Sequence, residues 1–306
     1  MSRTRSRKSI GSLPESGAHD PRLHGGNTVQ IGILTKTFPR PSLEETLDAI
    51  TRHGIRCVQF SLSSAGLPEL PERVDPATCE RIRREMGARG LEMAAVSGLF
   101  NMIHPDVRAR RDGLRRLREL ASACEHLGTS VITLCTGTCD RMDMWRRHPE
   151  NDSASAWNDL VNSMREALQI AEEHRVTLAF EPEVSNVVDS AAKGRRLLDE
   201  MQSPRLKVVM DPANIFHRGE LCRMREILDE AFALLGDDIV LAHAKDLDHD
   251  GEAGRKAAGK GLLDYDHYLE LLDAAAPDVP LILHGLDEEQ VDECVAFLRE
   301  RIGRIP

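Results

Sequence analysis

Residues 206–214 read Leu206-Lys207-Val208-Val209-Met210-Asp211-Pro212-Ala213-Asn214, an apolar run that stops at a carboxylate and then turns. The same shape stands on either side of it. Upstream is Val176-Thr177-Leu178-Ala179-Phe180-Glu181-Pro182-Glu183. Downstream are Ile239-Val240-Leu241-Ala242-His243-Ala244-Lys245-Asp246 and Leu281-Ile282-Leu283-His284-Gly285. Four consecutive apolar runs thus end at a carboxylate or a histidine. The runs are continuously apolar rather than alternating, as expected of parallel strands covered on both faces.

Working outward, the pattern extends over most of the chain. Strands are expected at Gln30–Leu34, Ile55–Leu62, Leu91–Val96, Ser130–Leu134, Val176–Phe180, Leu206–Met210, Ile239–Ala242 and Pro280–Leu283. Amphipathic helices are expected at Ser42–His53, Pro76–Arg89, Val107–Leu127, Ala154–His174, Asp189–Met201, Leu221–Leu235, Asp264–Ala275 and Asp287–Ile302. Many open on a capping residue, such as Ser42, Asp75 with Pro76, Asp189, Asp264 and Asp287. Several close on glycine, at Gly54, Gly90 and Gly128. Eight strand–helix units in strict alternation predict a single α/β domain, a (β/α)8 TIM barrel over residues 29–306. A doubly wound open sheet is disfavoured, because no Gly-x-Gly-x-x-Gly follows the first strand.

Composition narrows the function. The chain has 306 residues and a net charge of −10. Residues 1–28 are rich in Ser, Arg, Gly and Pro and read as a disordered basic tail. Through Asn27 the tail carries a balance of +3, which leaves −13 on the rest. That acidity argues against nucleic acid as a partner, since phosphate binding needs clustered Lys and Arg. No run approaches the roughly 18 apolar residues of a membrane span, and the tail lacks the apolar core of a secretory leader. Seven cysteines without a Cys-x-x-Cys pair suggest a reducing, cytoplasmic setting.

In a barrel the chemistry sits where strands end. Neighbouring strands lie roughly 4.8 Å apart, so Glu181, Asp211, His243 and His284 can converge on one point. Two carboxylates and two imidazoles suit a divalent metal. Imidazole favours Mn²⁺, Zn²⁺, Co²⁺ or Fe²⁺, and Mg²⁺ is disfavoured on the same ground. Glu183 shares the strand parity of Glu181 but already lies in the loop.

The order Glu181-Pro, Asp211-x-x-Asn214, His243-x-Lys245-Asp246 on successive strands resembles the xylose isomerase-like barrels of the sugar phosphate isomerase/epimerase family. Gly259-Lys260-Gly261-x-x-Asp264 resembles that family's segment before the last helix. The resemblance implies a divalent metal held by Glu181, Asp211 and His243, with sugar or polyol substrates bound through adjacent oxygens. The family's last strand usually ends in Glu, whereas here it ends in His284, which can serve as fourth ligand or as a second acid/base group. Relatives of this kind are often dimers or tetramers, so a homo-oligomer is compatible with the resemblance.

Further contacts are expected from the loops. Lys245 is directed to the same side as His243 and is a candidate catalytic group. Asn214, Trp145, His104, Lys260 and Phe38 are candidate substrate contacts. Trp145 belongs to a long loop that reads as a lid, with Arg146, Arg147 and His148 as polar clamps. The expected reaction is isomerisation or epimerisation by proton transfer through a metal-stabilised enediolate. A metal-dependent lyase or dehydratase on a keto-sugar, keto-inositol or keto-glycoside is the alternative, motivated by His284. A nuclease of the endonuclease-IV kind and a non-catalytic binding protein rank lower.

Overall fold

The computed structural model describes residues 29–305; the expected basic tail, 1–28, lies outside them. Eight parallel strands close on themselves. In chain order they are β1 (Ile31–Leu34), β2 (Cys57–Phe60), β3 (Glu92–Ser97), β4 (Val131–Cys135), β5 (Thr177–Glu181), β6 (Leu206–Met210), β7 (Ile239–Asp246) and, after a two-residue β8 (Lys256–Ala257), β9 (Leu281–Leu283). Each barrel strand pairs with its sequence neighbour, β7 pairs with β9, and β9 closes the ring on β1 through Ile31↔Leu281 and Ile33↔Leu283. Helices α1 (Leu43–Arg52), α2 (Pro76–Ala88), α3 (Val107–Leu127), α4 (Ala154–His174), α5 (Ala191–Met201), α6 (Met224–Leu235), α7 (Tyr265–Ala275) and α8 (Val291–Ile302) lie between the strands in sequence. Among the described residues no helix is long and apolar enough to cross a membrane.

Local chemistry explains the boundaries. The Ser42 hydroxyl accepts from the Glu45 amide at the start of α1, and Asp75 before Pro76 does the same for α2. Gly128, with φ of 87°, ends α3 in the left-handed conformation that suits glycine. Three expectations shift. Ser190, not Asp189, caps α5, because Asp189 is turned to Arg147 and Lys193. Short 3-10 turns precede α6 and α8 and delay their starts. The strand expected to end at Ala242 continues to Asp246, because Lys245 and Asp246 pair antiparallel with Ala257 and Lys256.

Two apolar layers result. One fills the space between strands and helices. The other is a small floor inside the barrel, built from Leu34, Cys57, Ala95, Ala179, Val209, Leu241 and Ile282, each at most 5% exposed. The floor is tight. A Cβ on Gly32 would stand 2.6 Å from Ile282 Cδ1 and 2.9 Å from the Cys57 carbonyl oxygen. This floor fixes the height at which the chemistry begins.

Candidate active site

Side chains alternate along a strand, so the residue two places after each floor residue points inward one level higher. That rule lifts the chain from Cys57 to Gln59, Ala95 to Ser97, Ala179 to Glu181, Val209 to Asp211, Leu241 to His243 and Ile282 to His284. Gln59, Ser97, Thr133, Glu181, His243 and His284 line a cavity of about 210 Å³, together with Lys36, Glu183, Asn214, Lys245 and Trp145. Asp211 lies beneath it, fully buried.

The polar groups form one connected network. Gln59 donates its amide hydrogens to the Ser97 and Thr133 hydroxyls, both at 3.2 Å. Its carbonyl oxygen therefore faces His243 Nε2, at 2.9 Å, and accepts from it. That fixes the imidazole, and its Nδ1 looks at Asp211 Oδ2 (3.3 Å) and Glu181 Oε1 (3.6 Å). Asp211 Oδ2 also receives Lys245 Nζ at 2.8 Å. Lys245 donates in turn to Asn214 Oδ1 (2.7 Å), and Asn214 donates to Glu181 Oε1 (2.6 Å). From α7, the Tyr268 and Tyr265 hydroxyls donate to the carbonyls of His243 and Lys245, both at 3.0 Å, and hold this stretch of β7.

Burial and charge set the protonation. Burial opposes the charged form of Asp211, but Lys245, then His243 and His284, hold it well below the usual carboxylate range. Burial also opposes charge on His243, but Glu181 and Asp211 outweigh it and raise the imidazole to about 9. His284 goes the other way. Burial, backed by the positive charges of Lys245 and His243, takes it to about 4 against the pull of Asp211. Burial lifts Glu183 to about 7, although the Ser185 amide and hydroxyl favour its charged form.

The structure brings together Glu181, Asp211, His243, His284, Lys245 and Asn214, all expected at the site. Trp145 reaches the cavity rim, half exposed. Lys260 stands on an adjoining outer cavity, ion-paired with Glu293. Two expected contacts do not reach this cavity. Phe38 is 1% exposed and packs against the His53 ring, because the chain turns inward after β1 and spends that side chain on the apolar layer. His104 is occupied with its own loop: Nδ1 accepts from the Asp106 amide at 3.0 Å and Nε2 contacts the Arg141 carbonyl, clear of the cavity. The clamps expected on the Trp145 loop also serve the loop. Arg146 pairs with Asp140, Arg147 with Asp152 and Asp189, and His148 accepts from the Glu150 amide.

Sequence reasoning passed over Gln59, Ser97 and Thr133. They are neutral, and each stands inside an apolar run where it reads as a tolerated polar residue. The usable signal was parity, since each lies two places beyond a small or apolar residue on the inner face.

The family model for the xylose isomerase-like TIM barrel matches residues 47–301. The chain belongs to that family. Among solved structures, 3-keto-D-glucoside 4-epimerase from E. coli is 16% identical, with a TM-score of 0.68 over 89% of this chain and 100% of that one. The IolI protein, solved with a zinc atom, is 16% identical with a TM-score of 0.67, over 90% of this chain and 98% of that one. The probable 3-DHS dehydratase AsbF of Bacillus anthracis, involved in petrobactin synthesis, is 15% identical with a TM-score of 0.69, over 88% and 98%. None of the curated proteins matches. At these identities the solved structures speak for the fold.

The residues of this xylose isomerase-like barrel fit a divalent metal. Ligand atoms of Asp211, His243 and His284 lie within 4.8 Å of one another. His284 Nδ1 is buried and has no hydrogen-bond partner among the described residues, 3.9 Å from Asp211 Oδ2. His243 donates its other ring nitrogen to an amide oxygen, the arrangement that orients metal-bound imidazoles. Glu181 stands at the edge of this trio.

Proposed function

We propose that this chain is a divalent-metal-dependent isomerase or epimerase acting on a sugar or sugar derivative. The observation that carries the reading is the trio Asp211, His243 and His284, the first two buried and the third half-buried, at the base of a cavity that also presents Glu181, Glu183 and Lys245. Asp211, His243 and His284, with Glu181 beside them, would hold the metal. When bound, it supplies Lewis acidity at two adjacent substrate oxygens and so acidifies the carbon–hydrogen bond between them.

The remaining work falls to side chains. Asn214 holds Glu181 Oε1 at 2.6 Å and Lys245 at 2.7 Å, which orients both toward one small space. Glu181 takes the proton from the carbon beside the carbonyl. Lys245 or Glu183 returns it, to a neighbouring atom for isomerisation or to the opposite face for epimerisation. His284, held neutral, acts as a ligand. Trp145 offers a flat apolar surface at the rim for a sugar face.

Incubation with a panel of ketoses in D₂O and Mn²⁺ tests this. Deuterium should enter at the carbon beside the carbonyl, and its absence across the panel with metal bound would refute the reading. A second reading is favoured by His284 itself, which stands where the family usually has Glu. It keeps the same proton abstraction and ends in loss of a β-leaving group, as in a dehydratase. An enone chromophore from a 3-keto substrate would select it. A gain of epimerisation in His284→Glu would show that this position sets the outcome.

A further inference from the structure

Beside the central cavity lies a second one of about 660 Å³, and Leu34, Lys36, Lys245 and His284 line both. Its wall carries five cationic side chains and one carboxylate, Asp287, on a chain whose net charge is −10. Three of the cations are already answered. Lys245 faces Asp211 at 2.8 Å, Lys256 faces Asp248 at 2.9 Å, and Lys260 pairs with Glu293. Lys36 and Arg255 have neither an ion pair nor a side-chain hydrogen bond among the described residues, and both are exposed.

Their backbones are nevertheless held. Lys36 rides the short turn Thr35–Thr37, anchored by the buried Thr35 hydroxyl, which accepts from the Ser61 amide at 2.9 Å. Arg255 stands between two anchors. The Gly254 amide donates to the Ala213 carbonyl at 2.9 Å, and Lys256–Ala257 pair with β7. Gly254 admits no side chain, since a Cβ would lie 2.5 Å from the Asp246 carbonyl oxygen. Two unanswered cations on anchored backbone in a concave wall concentrate a positive field where a neutral sugar has nothing to match it.

We propose that this outer cavity seats an acidic group at the end of the substrate remote from the reacting carbon, a carboxylate or a phosphate ester held by Lys36 and Arg255. The proposal rests on the isomerase or epimerase reading and narrows its substrates to anionic sugar derivatives. Arginine offers a two-pronged donor to such oxyanions and lysine a mobile point charge.

The test titrates the intact protein, supplied with Mn²⁺, with two matched pairs: ribulose and ribulose 5-phosphate, tagatose and tagaturonate. Binding heat and deuterium uptake in D₂O are followed for each. At least one acidic probe should bind about tenfold or more tightly than its neutral partner. That preference should vanish in the double variant Lys36→Gln, Arg255→Gln and survive in Lys36→Arg, Arg255→Lys. Preference confined to one pair identifies the group as phosphate or carboxylate. Equal binding of acidic and neutral probes, or a preference that persists in the glutamine variant, overturns the proposal. Acid preference without deuterium uptake from any probe leaves the anion seat standing and removes the isomerase reading. Uptake from neutral ketoses without acid preference does the reverse.

Discussion

The barrel mouth has two unlike halves at one height. β5, β6, β7 and β9 raise Glu181, Asp211, His243 and His284 above the floor, whereas β2, β3 and β4 raise Gln59, Ser97 and Thr133. The first group is ionisable throughout and the second neutral throughout, with Lys36, two places beyond the floor residue Leu34, standing between them. Among the described residues one side-chain hydrogen bond joins them, from His243 Nε2 to Gln59 Oε1. The charged half holds the groups that, on the proposed function, would bind a cation and move protons. The neutral half can do neither, yet it decides how the central imidazole is turned. On the proposed function, the reactive groups and the groups that aim them come from opposite sides of the ring.

The hardest way to break the charged half is at Asp211. It is fully buried and answers Lys245, while both imidazoles face it. Asp211→Asn leaves the Lys245 ammonium buried without a counter-charge, so denaturant unfolding should show a loss of about 3–5 kcal/mol. Calorimetry should show Mn²⁺ binding abolished. Retained stability with retained metal binding would mean that the network does not turn on this carboxylate. Glu181→Gln is milder. It keeps the contact to Asn214 and the shape, and deuterium exchange should fall by about 10²–10⁴ with a far smaller loss of stability than in Asp211→Asn. An equal loss of fold and exchange would make Glu181 structural.

The two imidazoles of the charged half should separate by pH in protein stripped of divalent cations. His243 is raised to about 9 in the fold against an ordinary 6.5, so the folded state binds its proton more tightly. That contribution is full below pH 6.5 and is lost as pH rises through 9. His284 is lowered to about 4, so the unfolded chain takes up its proton first, and stability is lost as pH falls from 6.5 through 4. Glu183, raised to about 7 against an ordinary 4.5, opposes His284 on the acidic side, so each imidazole is read from the difference between its variant and the parent in unfolding midpoints from pH 4 to 9. His243→Gln should remove a loss of stability on the alkaline side, and His284→Gln should remove a gain of stability between pH 4 and 6.5. A swap of those two effects would reverse the assignment.

The two halves also differed in how far the sequence disclosed them. The barrel was legible because parallel strands buried on both faces leave long apolar runs, and Leu206–Met210 and Val107–Leu127 fall where expected. Glu181, Asp211 and His243 were legible because ionisable groups that end an apolar run demand a reason. Gln59 was hidden because an amide inside a strand does not. Arg255 was hidden because its position depends on β8, a two-residue strand that exists only through pairing with Lys245 and Asp246. Phe38 misled because an aromatic after a strand end suits a sugar face and the inter-layer core equally well, and only packing against α1 chooses between them.

The smallest expected effect probes the seam between the halves. Gln59→Met removes the acceptor that holds His243 Nε2 while keeping the bulk and leaving every ionisable group in place. Loss of such an orienting partner weakens metal binding by about 10–100-fold, and Mn²⁺ titration of the folded variant should show a change of that size. Gln59→Glu keeps an oxygen facing Nε2 and should restore most of the affinity. It also gives up the amide donors to Ser97 and Thr133, so part of the loss should remain. If Gln59→Met binds Mn²⁺ like the parent, the neutral half contributes shape alone, and the orientation of His243 comes from Tyr268 behind it and the carboxylates in front.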